Sequence, residues 1–340
     1  MSASATIVKS WYTPRVTLLA ALLWPLSLVY GAVVAARRAL FRGGWLHAER
    51  LPVPVVIVGN LTAGGAGKTP LTCALAEALR ERGMHPGIVS RGYGGTAATE
   101  REVTIGDDPR TVGDEPLIFA ALRLPVWIGR DRAAAARGLL AAHPGCDVIL
   151  ADDGLQHYRL ARTMEIAVID ADRELGNGLM LPAGPLREPA SRLQSVDAVV
   201  RLVAPDAPIV PAEREGRATQ MHHVALPWRN LVDAARLADP ASWHGQSVHA
   251  VCGTGNPARF FAMLRAMGIT AYEHPFPDHH YYAPADLAFP GAAAILMTQK
   301  DAVKCGGLAD ARCWYLPVRA QLDPALTAFV EETIRGFKAA

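Results

Sequence analysis

A glycine-rich stretch at residues 62–69, with the sequence TAGGAGKT, constrains the fold of this chain more than any other feature. The apolar run VVIV at residues 55–58 precedes it and predicts a buried strand, and residues 70–82 follow it with the pattern of a helix. A glycine loop between a strand and a helix N-terminus is typical of a phosphate-binding turn in an α/β sheet. We therefore expect an α/β fold organised around this loop.

The residue types in the loop suit a nucleoside triphosphate. Glycines allow the backbone N–H groups to close around phosphate oxygens, and Lys68 would place a positive charge on the β and γ phosphates. The hydroxyl of Thr69 could bind Mg²⁺. Thr62 stands where the usual G-x-x-x-x-G-K-[ST] pattern has glycine. The sequence thus predicts an ATP site with Mg²⁺, whose loop residues are Thr62, Ala63, Gly64, Gly65, Ala66, Gly67, Lys68 and Thr69.

A pair of carboxylates follows a second apolar run. The run at residues 147–151 ends in Asp152 and Asp153, and a site of this kind needs a carboxylate at the end of a neighbouring strand to hold Mg²⁺. Adjacent residues at a strand end point in opposite directions, so we expect one of the two to face the metal. Asp152 is the first candidate for the metal ligand and Asp153 is the second. Asp153 is also assigned, together with Lys68, to the catalytic group. The other interpretation is that both simply form a turn.

Apolar runs alternate with Ala-rich helical segments along most of the chain. The strand-like runs lie at residues 87–90, 147–151, 165–170 and 197–201, and the helical segments at 71–82 and 132–142. This alternation predicts a parallel sheet covered by helices on both faces. The expected fold class is α/β, with a P-loop NTPase-like parallel sheet flanked by helices, a second smaller α/β domain and an N-terminal membrane-associated helix.

The domain boundaries follow from composition. An irregular, proline-rich stretch at residues 204–211 and a polar segment to about Arg229 mark the predicted exit from the first domain. Apolar runs at 247–252 and 293–297 then open a second unit. The prediction assigns residues 1–45 to a membrane-associated arm, 46–225 to a P-loop domain, and 226–340 to a smaller C-terminal α/β domain that completes the active-site cleft.

The N-terminal arm is both apolar and basic. Residues 16–36 contain no charged side chain, and residues 1–50 carry six basic side chains and one acidic one. At about 1.5 Å per residue a helix of this length could span a bilayer, although Pro25 and Gly31 would kink or weaken it. Basic residues beside an apolar segment also favour contact with anionic lipids. Membrane lipids are therefore expected partners, and a spanning helix, an interfacial helix and a buried core helix all stay open.

Charge and cysteine content exclude several classes of protein. The net charge of +2 argues against a dedicated nucleic-acid-binding protein. The five cysteines are scattered without a C-x-x-C pair, so neither a disulfide framework nor a zinc site is indicated. A reducing environment such as the cytosol fits this pattern best.

Taken together, the motifs resemble those of the tetraacyldisaccharide 4′-kinase family. The resemblance is carried in order along almost the whole chain by residues 59–69, 90–95, 113–116, 152–157, 181–188, 253–261, 276–280 and 298–304. One departure lies in GTG at residues 253–255, where an apolar residue would be expected between the glycines. The resemblance implies transfer of the ATP γ-phosphate to the 4′-hydroxyl of an acylated glucosamine disaccharide 1-phosphate. It also implies a place at the inner, cytoplasmic membrane with the catalytic domains on the cytoplasmic face.

The same resemblance implies roles for two residues far apart in the sequence. Asp114 would be the base that accepts the proton of the sugar hydroxyl, and His279 would orient that carboxylate when the cleft between the domains closes. A carboxylate suits this step because phosphoryl transfer depends mainly on positioning and charge stabilisation. Taken by itself, Asp114 could instead cap a helix ahead of Pro116, and His279 could form a metal-ligand pair with His280.

Arginine side chains are the remaining candidates. Arg187 is assigned to the catalytic group because a guanidinium can hold phosphate oxygens through two hydrogen bonds. Arg91, Arg130 and Arg132 are further candidates for the 1-phosphate of the substrate or for lipid headgroups. The sequence does not choose among these three.

A second function class is a P-loop ATPase of partitioning or switch type that acts at the membrane. Its deviant loop would carry a lysine immediately before the paired glycines, where this chain has Ala63. A GTPase would show an [NT]-K-x-D motif, but Lys300 in TQKD at residues 298–301 comes one position too late. Dependence of ATP turnover on an added glycolipid separates this class from the kinase.

Overall fold

The computed structural model describes residues 3–13, 15–204, 207 and 217–338. In that part of the chain the helices are α1 (Ala3–Trp11), α2 (Leu18–Arg42), α3 (Lys68–Glu81), α4 (Pro109–Val112), α5 (Asp114–Ala120), α6 (Arg132–Ala142), α7 (Pro257–Ala266), α8 (Gln299–Cys305) and α9 (Pro324–Arg335). The strands are β1 (Val55–Gly59), β2 (Pro86–Ser90), β3 (Arg101–Glu102), β4 (Val126–Ile128), β5 (Val148–Asp152), β6 (Met164–Asp170), β7 (Ala198–Val203), β8 (Ala218–Ala225), β9 (Trp228–Asn230), β10 (Leu237–Ala238), β11 (Val248–Cys252), β12 (Tyr272–Pro275), β13 (Ala294–Thr298), β14 (Cys313–Leu316) and β15 (Val318–Leu322). Most of the irregular stretch predicted at 204–211 lies outside the described residues.

Nine strands form the larger sheet, in the order β15-β8-β7-β6-β1-β5-β2-β4-β3. The seven strands from β8 to β4 pair in parallel, and β15 and β3 are antiparallel at the two edges. Strand β1 lies between β5 and β6, and Val58 is in register with Asp152. The loops that follow β1 and β5 therefore open at the same edge of the sheet, which is where open α/β sheets bind ligands.

Apolar side chains cover both faces of this sheet. Val56 and Val58 belong to a buried cluster with α3 and α9, while Val55 and Ile57 belong to a second cluster with α6. Because successive strand residues point to opposite faces, a run of valine and isoleucine serves both clusters at once. Each fully buried side chain of this size stabilises the fold by about 1.5–3 kcal/mol. The predicted α/β fold with helices on both faces is confirmed.

A smaller six-stranded sheet has the order β10-β9-β14-β13-β11-β12. Strands β11 to β14 pair in parallel, and β9 and β10 are antiparallel at one edge. Separate apolar clusters lie on its two faces, one of them built around Trp228, Trp243 and Trp314. This sheet is the core of the second α/β unit that the sequence predicts.

The predicted range of the second domain needs a correction at its C-terminal end. Strand β15 pairs with β8 in the larger sheet, and Leu326 and Val330 of α9 join the cluster around α3. The last part of residues 226–340 therefore belongs to the first domain. Residues 218–225, within the polar segment interpreted as a domain exit, form β8, which buries Met221. Hydrogen bonding to an unpaired sheet edge explains why these weakly patterned segments become strands.

Helix α2 lies along the first domain and leaves much of its apolar surface exposed. Thr17 caps its N-terminus, and the helix runs without a break past Pro25 and Gly31. The hydroxyl of Ser27 donates to the carbonyl of Met180 at 2.9 Å, and the N–H of Ala183 donates to that hydroxyl at 3.0 Å. These contacts help offset the loss of the one helix hydrogen bond that Pro25 cannot form. By length and composition α2 is able to cross a membrane, and it is the only such helix among the described residues.

Candidate active site

The phosphate-binding loop has the strand and helix that the sequence predicts, with the helix starting slightly earlier, at Lys68. Gly67 precedes it with φ +89°, and a Cβ at this position would lie 2.9 Å from both Leu202 and Met221. Only glycine fits both the conformation and the space. The Nζ of Lys68 donates to Oδ1 of Asn60 at 3.1 Å and lies 3.4 Å from Oδ1 of Asp153.

Asn60 organises the loop from within and was not among the predicted site residues. Its amide nitrogen donates to the carbonyl of Gly64 at 3.3 Å, while its oxygen accepts from Lys68. The side chain is fully buried. Its position directly after the strand was the available sequence signal, because buried amides at that point usually bond the loop backbone.

Asp152 occupies the buried end of β5, as predicted for the metal ligand. Its Oδ1 accepts a hydrogen bond from the hydroxyl of Thr72 at 3.4 Å, and its Oδ2 has no partner in the part of the chain that the structure describes. Burial, together with the nearby carboxylate of Glu115, raises the pKa of Asp152 to about 8, against the opposing effect of Lys68. An unpartnered, buried carboxylate oxygen is suited to a cation.

Asp153 faces cationic side chains instead. Nη1 of Arg187 donates to both of its carboxylate oxygens, at 2.9 and 3.0 Å, and Arg132 donates to its backbone carbonyl at 2.9 Å. Burial works to raise the pKa of Asp153, but Lys68, Arg187 and Arg132 hold it well below its ordinary value. In this conformation Arg187 therefore holds Asp153, and its predicted role as a phosphate clamp stays a prediction.

Asp114 and His279 are in contact, although 165 positions separate them in the sequence. Nδ1 of His279 lies 3.1 Å from each carboxylate oxygen of Asp114. Further closure of the cleft is therefore not needed to bring them together. The N–H of Glu115 also donates to Oδ1 of Asp114 at 2.9 Å. Asp114 is the first residue of α5 and Gly113 is its N-cap, so Asp114 does not take the capping position that the alternative suggested. Gly113, with φ +89°, makes the turn into this helix.

Lysines from the second domain complete the surroundings of Asp114. Lys300 and Lys304, both on α8, each place Nζ 3.9 Å from Oδ2 of Asp114. Burial alone would raise the pKa of Asp114, but the hydrogen bond from His279 and these two ammonium groups hold it below its ordinary value. The QKD motif was visible in the sequence, yet nothing in its spacing connected it to Asp114.

The alternative that His279 and His280 form a metal-ligand pair is wrong. Nε2 of His280 pairs with Oδ2 of Asp286 at 3.0 Å, whereas His279 faces Asp114. Among the described residues no group of three or more His, Cys, Asp or Glu side chains could hold a metal ion by itself.

A cavity of about 680 Å³ lies between the two domains. The first domain contributes residues 65–69 of the loop and Pro70 of α3, and the second contributes Gly255, Asn256 and Arg259. Its volume is in the range of small-molecule sites, and its position places the loop amides at one wall. The GTG segment at residues 253–255 reaches this wall, because Arg173 of the first domain donates to the carbonyl of Gly255 at 2.8 Å.

The remaining candidate arginines fall into two groups. Arg91 and Arg130 line a second cavity of about 310 Å³ with Tyr93, whose ring lies 4.8 Å from that of His279. Neither forms an ion pair within the ranges described. Arg132 is buried beside Asp153 instead. The sequence could not make this division, because it depends on which loops meet in space.

Comparison with known proteins gives one consistent result. The family model described as "Tetraacyldisaccharide-1-P 4′-kinase" matches residues 19–335. Curated proteins with the name tetraacyldisaccharide 4′-kinase are similar over almost the whole chain. The protein from Azoarcus sp. is 51% identical over 317 residues, covering 93% of this chain and 92% of that protein. The protein from Alkalilimnicola ehrlichii is 50% identical over 318 residues, covering 91% of each.

A solved structure extends the similarity to the fold. It is described as the crystal structure of the "apo" form of LpxK from Aquifex aeolicus in complex with ATP. It matches with a TM-score of 0.75 at 27% identity, over 93% of this chain and 100% of that one. Sequence and structure comparisons therefore lead to the same family.

Proposed function

The chain belongs to the tetraacyldisaccharide 4′-kinase family, and from this we propose a role for each group in its cleft. It is a phosphotransferase with an alcohol acceptor. It transfers the γ-phosphate of ATP to the 4′-hydroxyl of an acylated glucosamine disaccharide 1-phosphate in lipid A biosynthesis. The alternative of a partitioning or switch ATPase is set aside, because the family match covers both domains.

The loop at residues 62–69 binds the triphosphate. Its amides and the N-terminus of α3 meet the phosphates, and Lys68 moves from Asn60 and Asp153 to the β and γ phosphates when ATP enters the cavity. Arg187 and Asp153 form a neighbouring pair that responds to this movement, since Asp153 then loses one of its cationic partners. Arg187 holds Asp153 through Nη1, and the rest of its guanidinium would stabilise charge on the transferred phosphoryl group.

The residues of the cleft fit Mg²⁺. The free Oδ2 of Asp152 and the hydroxyl of Thr69 are hard oxygen ligands at the loop, and Mg²⁺ commonly takes few protein ligands beside phosphate oxygens and water. When bound, the ion neutralises phosphate charge and orients the terminal phosphate. Asp152 and Thr69 would hold it there.

Asp114 accepts the proton of the 4′-hydroxyl, and His279 orients it. The observation that carries this proposal is the contact of a buried, anionic carboxylate in one domain with an imidazole from the other, beside Glu115 and Lys300, which line the cavity. A base of this kind typically contributes about 10²–10⁴-fold to the rate. Asp114 would thus accept the proton where the two domains meet, so that only a closed cleft is competent.

The apolar face of α2 contacts membrane lipids. Leu18, Leu22, Leu26, Val29 and Val33 recur at helical spacing and are 58–78% exposed, whereas Ser27 on the other side is bound to the first domain. A helix attached to the domain along one face would lie in the membrane interface rather than span it. We place the enzyme at the cytoplasmic face of the inner membrane, where ATP is present.

One assay tests the proposed roles. Purified protein is incubated with labelled ATP and the detergent-dispersed disaccharide 1-phosphate, and label on the lipid is counted. Asp114→Ala should lower turnover by about 10²-fold or more while ATP binding persists. Lys68→Met should instead weaken ATP binding as well as turnover. Near-normal turnover of Asp114→Ala would remove Asp114 from the mechanism.

A further inference from the structure

Lys300 lies where the two domains meet at the catalytic pair. It projects from α8 of the second domain, and its Nζ is 3.2 Å from Oε1 of Glu115, 3.2 Å from Oδ1 of Asp278 and 3.4 Å from Nε2 of His279. Its side chain is only 17% exposed. Burial lowers the pKa of Lys300, but the surrounding carboxylates of Glu115, Asp114 and Asp278 outweigh this and raise it, so the side chain is an ammonium.

An ammonium group fixes the hydrogen-bonding role of the imidazole beside it. Lys300 can only donate hydrogen bonds, so Nε2 of His279 must accept with its lone pair. A neutral imidazole that accepts at Nε2 carries its proton on Nδ1. Nδ1 is the atom that faces both oxygens of Asp114 at 3.1 Å, and it therefore donates to the carboxylate. Oδ2 of Asp278 also faces Nε2, but at 3.7 Å it lies beyond hydrogen-bond distance, so Lys300 is the group that bonds this nitrogen.

We propose that Lys300 is a positioning residue that fixes His279 in the tautomer protonated on Nδ1 and thereby keeps Asp114 as an unprotonated acceptor. This inference rests on the proposed role of Asp114 as the base. Lys300 also joins Glu115 of the first domain to the second domain, so the tautomer is set only when the cleft is closed.

Several charged or titratable groups face this pair from the elements packed around it. On α5 and α8 they are Glu115, Lys300, Asp301 and Lys304, and in the segment after β12 they are Asp278 and Tyr281. Asp108, the N-cap of α4, and Arg110 within α4 complete the set. Lys304 is held 2.8 Å from Asp301 and is nearly fully buried. Lys300 is therefore the cation whose removal leaves Nε2 of His279 without a donor.

The kinetic test uses three variants. Lys300→Met keeps the length of the side chain without its charge, and Lys300→Arg keeps a positive charge that can only donate hydrogen bonds. Arg312→Ala is the control, because it removes a half-exposed cation of the same domain that pairs locally with Asp310.

Lys300→Met should lower kcat roughly tenfold and leave the KM for ATP within about twofold. The acid side of its rate profile should move up by about one pH unit, because the pKa of Asp114 rises when a nearby cation is lost. Lys300→Arg should retain most of kcat, and Arg312→Ala should match the unmodified enzyme.

The tautomer itself can be measured. Protein labelled with ¹⁵N-histidine reports which ring nitrogen carries the proton through two-bond ¹H–¹⁵N correlations, and comparison with His279→Gln identifies the signals of His279. The unmodified protein should show protonation on Nδ1, and Lys300→Met should shift the population towards Nε2. Thermal unfolding of each variant confirms that it is folded.

The outcomes separate this inference from the proposed function. Protonation of His279 on Nε2 in the unmodified protein would overturn the inference, even if Lys300→Met did not fold. The inference would also be overturned if Lys300→Met left both the acid side of the rate profile and the tautomer of His279 unchanged. A change confined to the KM for ATP would have the same consequence. Near-normal kcat in Asp114→Asn would instead refute the base assignment. An inactive Asp114→Asn beside an unaltered Lys300→Met would leave the base intact and remove only the role of Lys300.

Discussion

Asp152 shows how a ligand-binding residue can work against the stability of the fold. Its carboxyl is buried, and one of its oxygens has no partner among the described side chains. Its pKa in the folded chain is raised to about 8 from 3.8. Below pH 3.8 the group is protonated in both states. Between these values only the folded chain keeps the proton, so the free energy of unfolding falls as the pH rises through this window.

Asp152→Asn should therefore be more stable than the unmodified protein when metal and nucleotide are absent. The asparagine stays neutral, so the difference in unfolding free energy should grow from pH 6 to pH 8 by at least about 1 kcal/mol, given about 1.4 kcal/mol per pKa unit. Denaturant unfolding in a chelating buffer at both pH values measures it. Asp233→Asn, at an exposed turn, is the control and should show no such growth. A variant that is less stable at pH 8 would contradict the assigned burial cost.

Site residues could be predicted from the sequence where a single local motif contains all the groups that define their role. Lys68, Asp152 and Asp153 follow from a loop and a strand end, and the structure brings them to one edge of the sheet. Asn60 and Lys300 were not assigned roles, because a buried amide and a lysine acquire their meaning from partners elsewhere in the chain. Spacing along the sequence carries no information about such partners.

Among the elements, α2 allows the sharpest test of membrane contact. Leu22 and Val29 are 70% and 64% exposed on its free face. Changing both to glutamate should weaken binding to anionic vesicles roughly tenfold or more, because apolar burial is lost and the added charges are repelled. Vesicle flotation measures this. Activity on detergent-dispersed substrate should be nearly unchanged.

The matched control places the same charges at exposed apolar positions of the second domain. Val232 and Leu237 are 62% and 54% exposed, and their double change to glutamate should leave vesicle binding intact. Equal loss of binding in both double variants would mean that net charge, and not the face of α2, governs attachment.

The strands of the sheet centre were predictable, and those of its edge were not. Strands β1, β2, β5 and β6 are buried throughout, so their sequences are mostly apolar. Strands β8 and β15 are partly exposed and contain histidine, glutamine and arginine. Their conformation is determined by pairing with a neighbour, which a pattern of hydrophobic residues does not report.

At the scale of the whole molecule, several side chains besides His279 connect the two domains around the cavity that we propose for the nucleotide. Arg259 of α7 pairs with Asp170 and Asp172, Arg173 donates to Gly255, and Lys300 pairs with Glu115. Asp170 also lines the cavity and is almost fully buried. Its charge would repel the triphosphate if Arg259 did not neutralise it.

Arg259→Ala should accordingly raise the KM for ATP by roughly tenfold, with a smaller effect on kcat at saturating ATP. Steady-state kinetics with varied ATP measures the effect. Arg265→Ala is the matched control, since Arg265 lies on the same helix but pairs with the exposed Glu273 of its own domain. A KM that stays unchanged in Arg259→Ala would show that this ion pair does not affect the nucleotide.

The return of the chain to the larger sheet has a consequence for how the protein can be made. Leu226 and Pro317 lie at the two crossings between the sheets, and the N–H of the first donates to the carbonyl of the second at 2.9 Å. The segment that forms the smaller sheet is thus inserted between two strands of the larger sheet, β8 and β15. Strand β15 is the last strand of the larger sheet to leave the ribosome. Until then the edge of β8 is open. A nascent chain halted anywhere before residue 318 would expose that edge to other chains, so ribosome stalling in the inserted segment should promote aggregation.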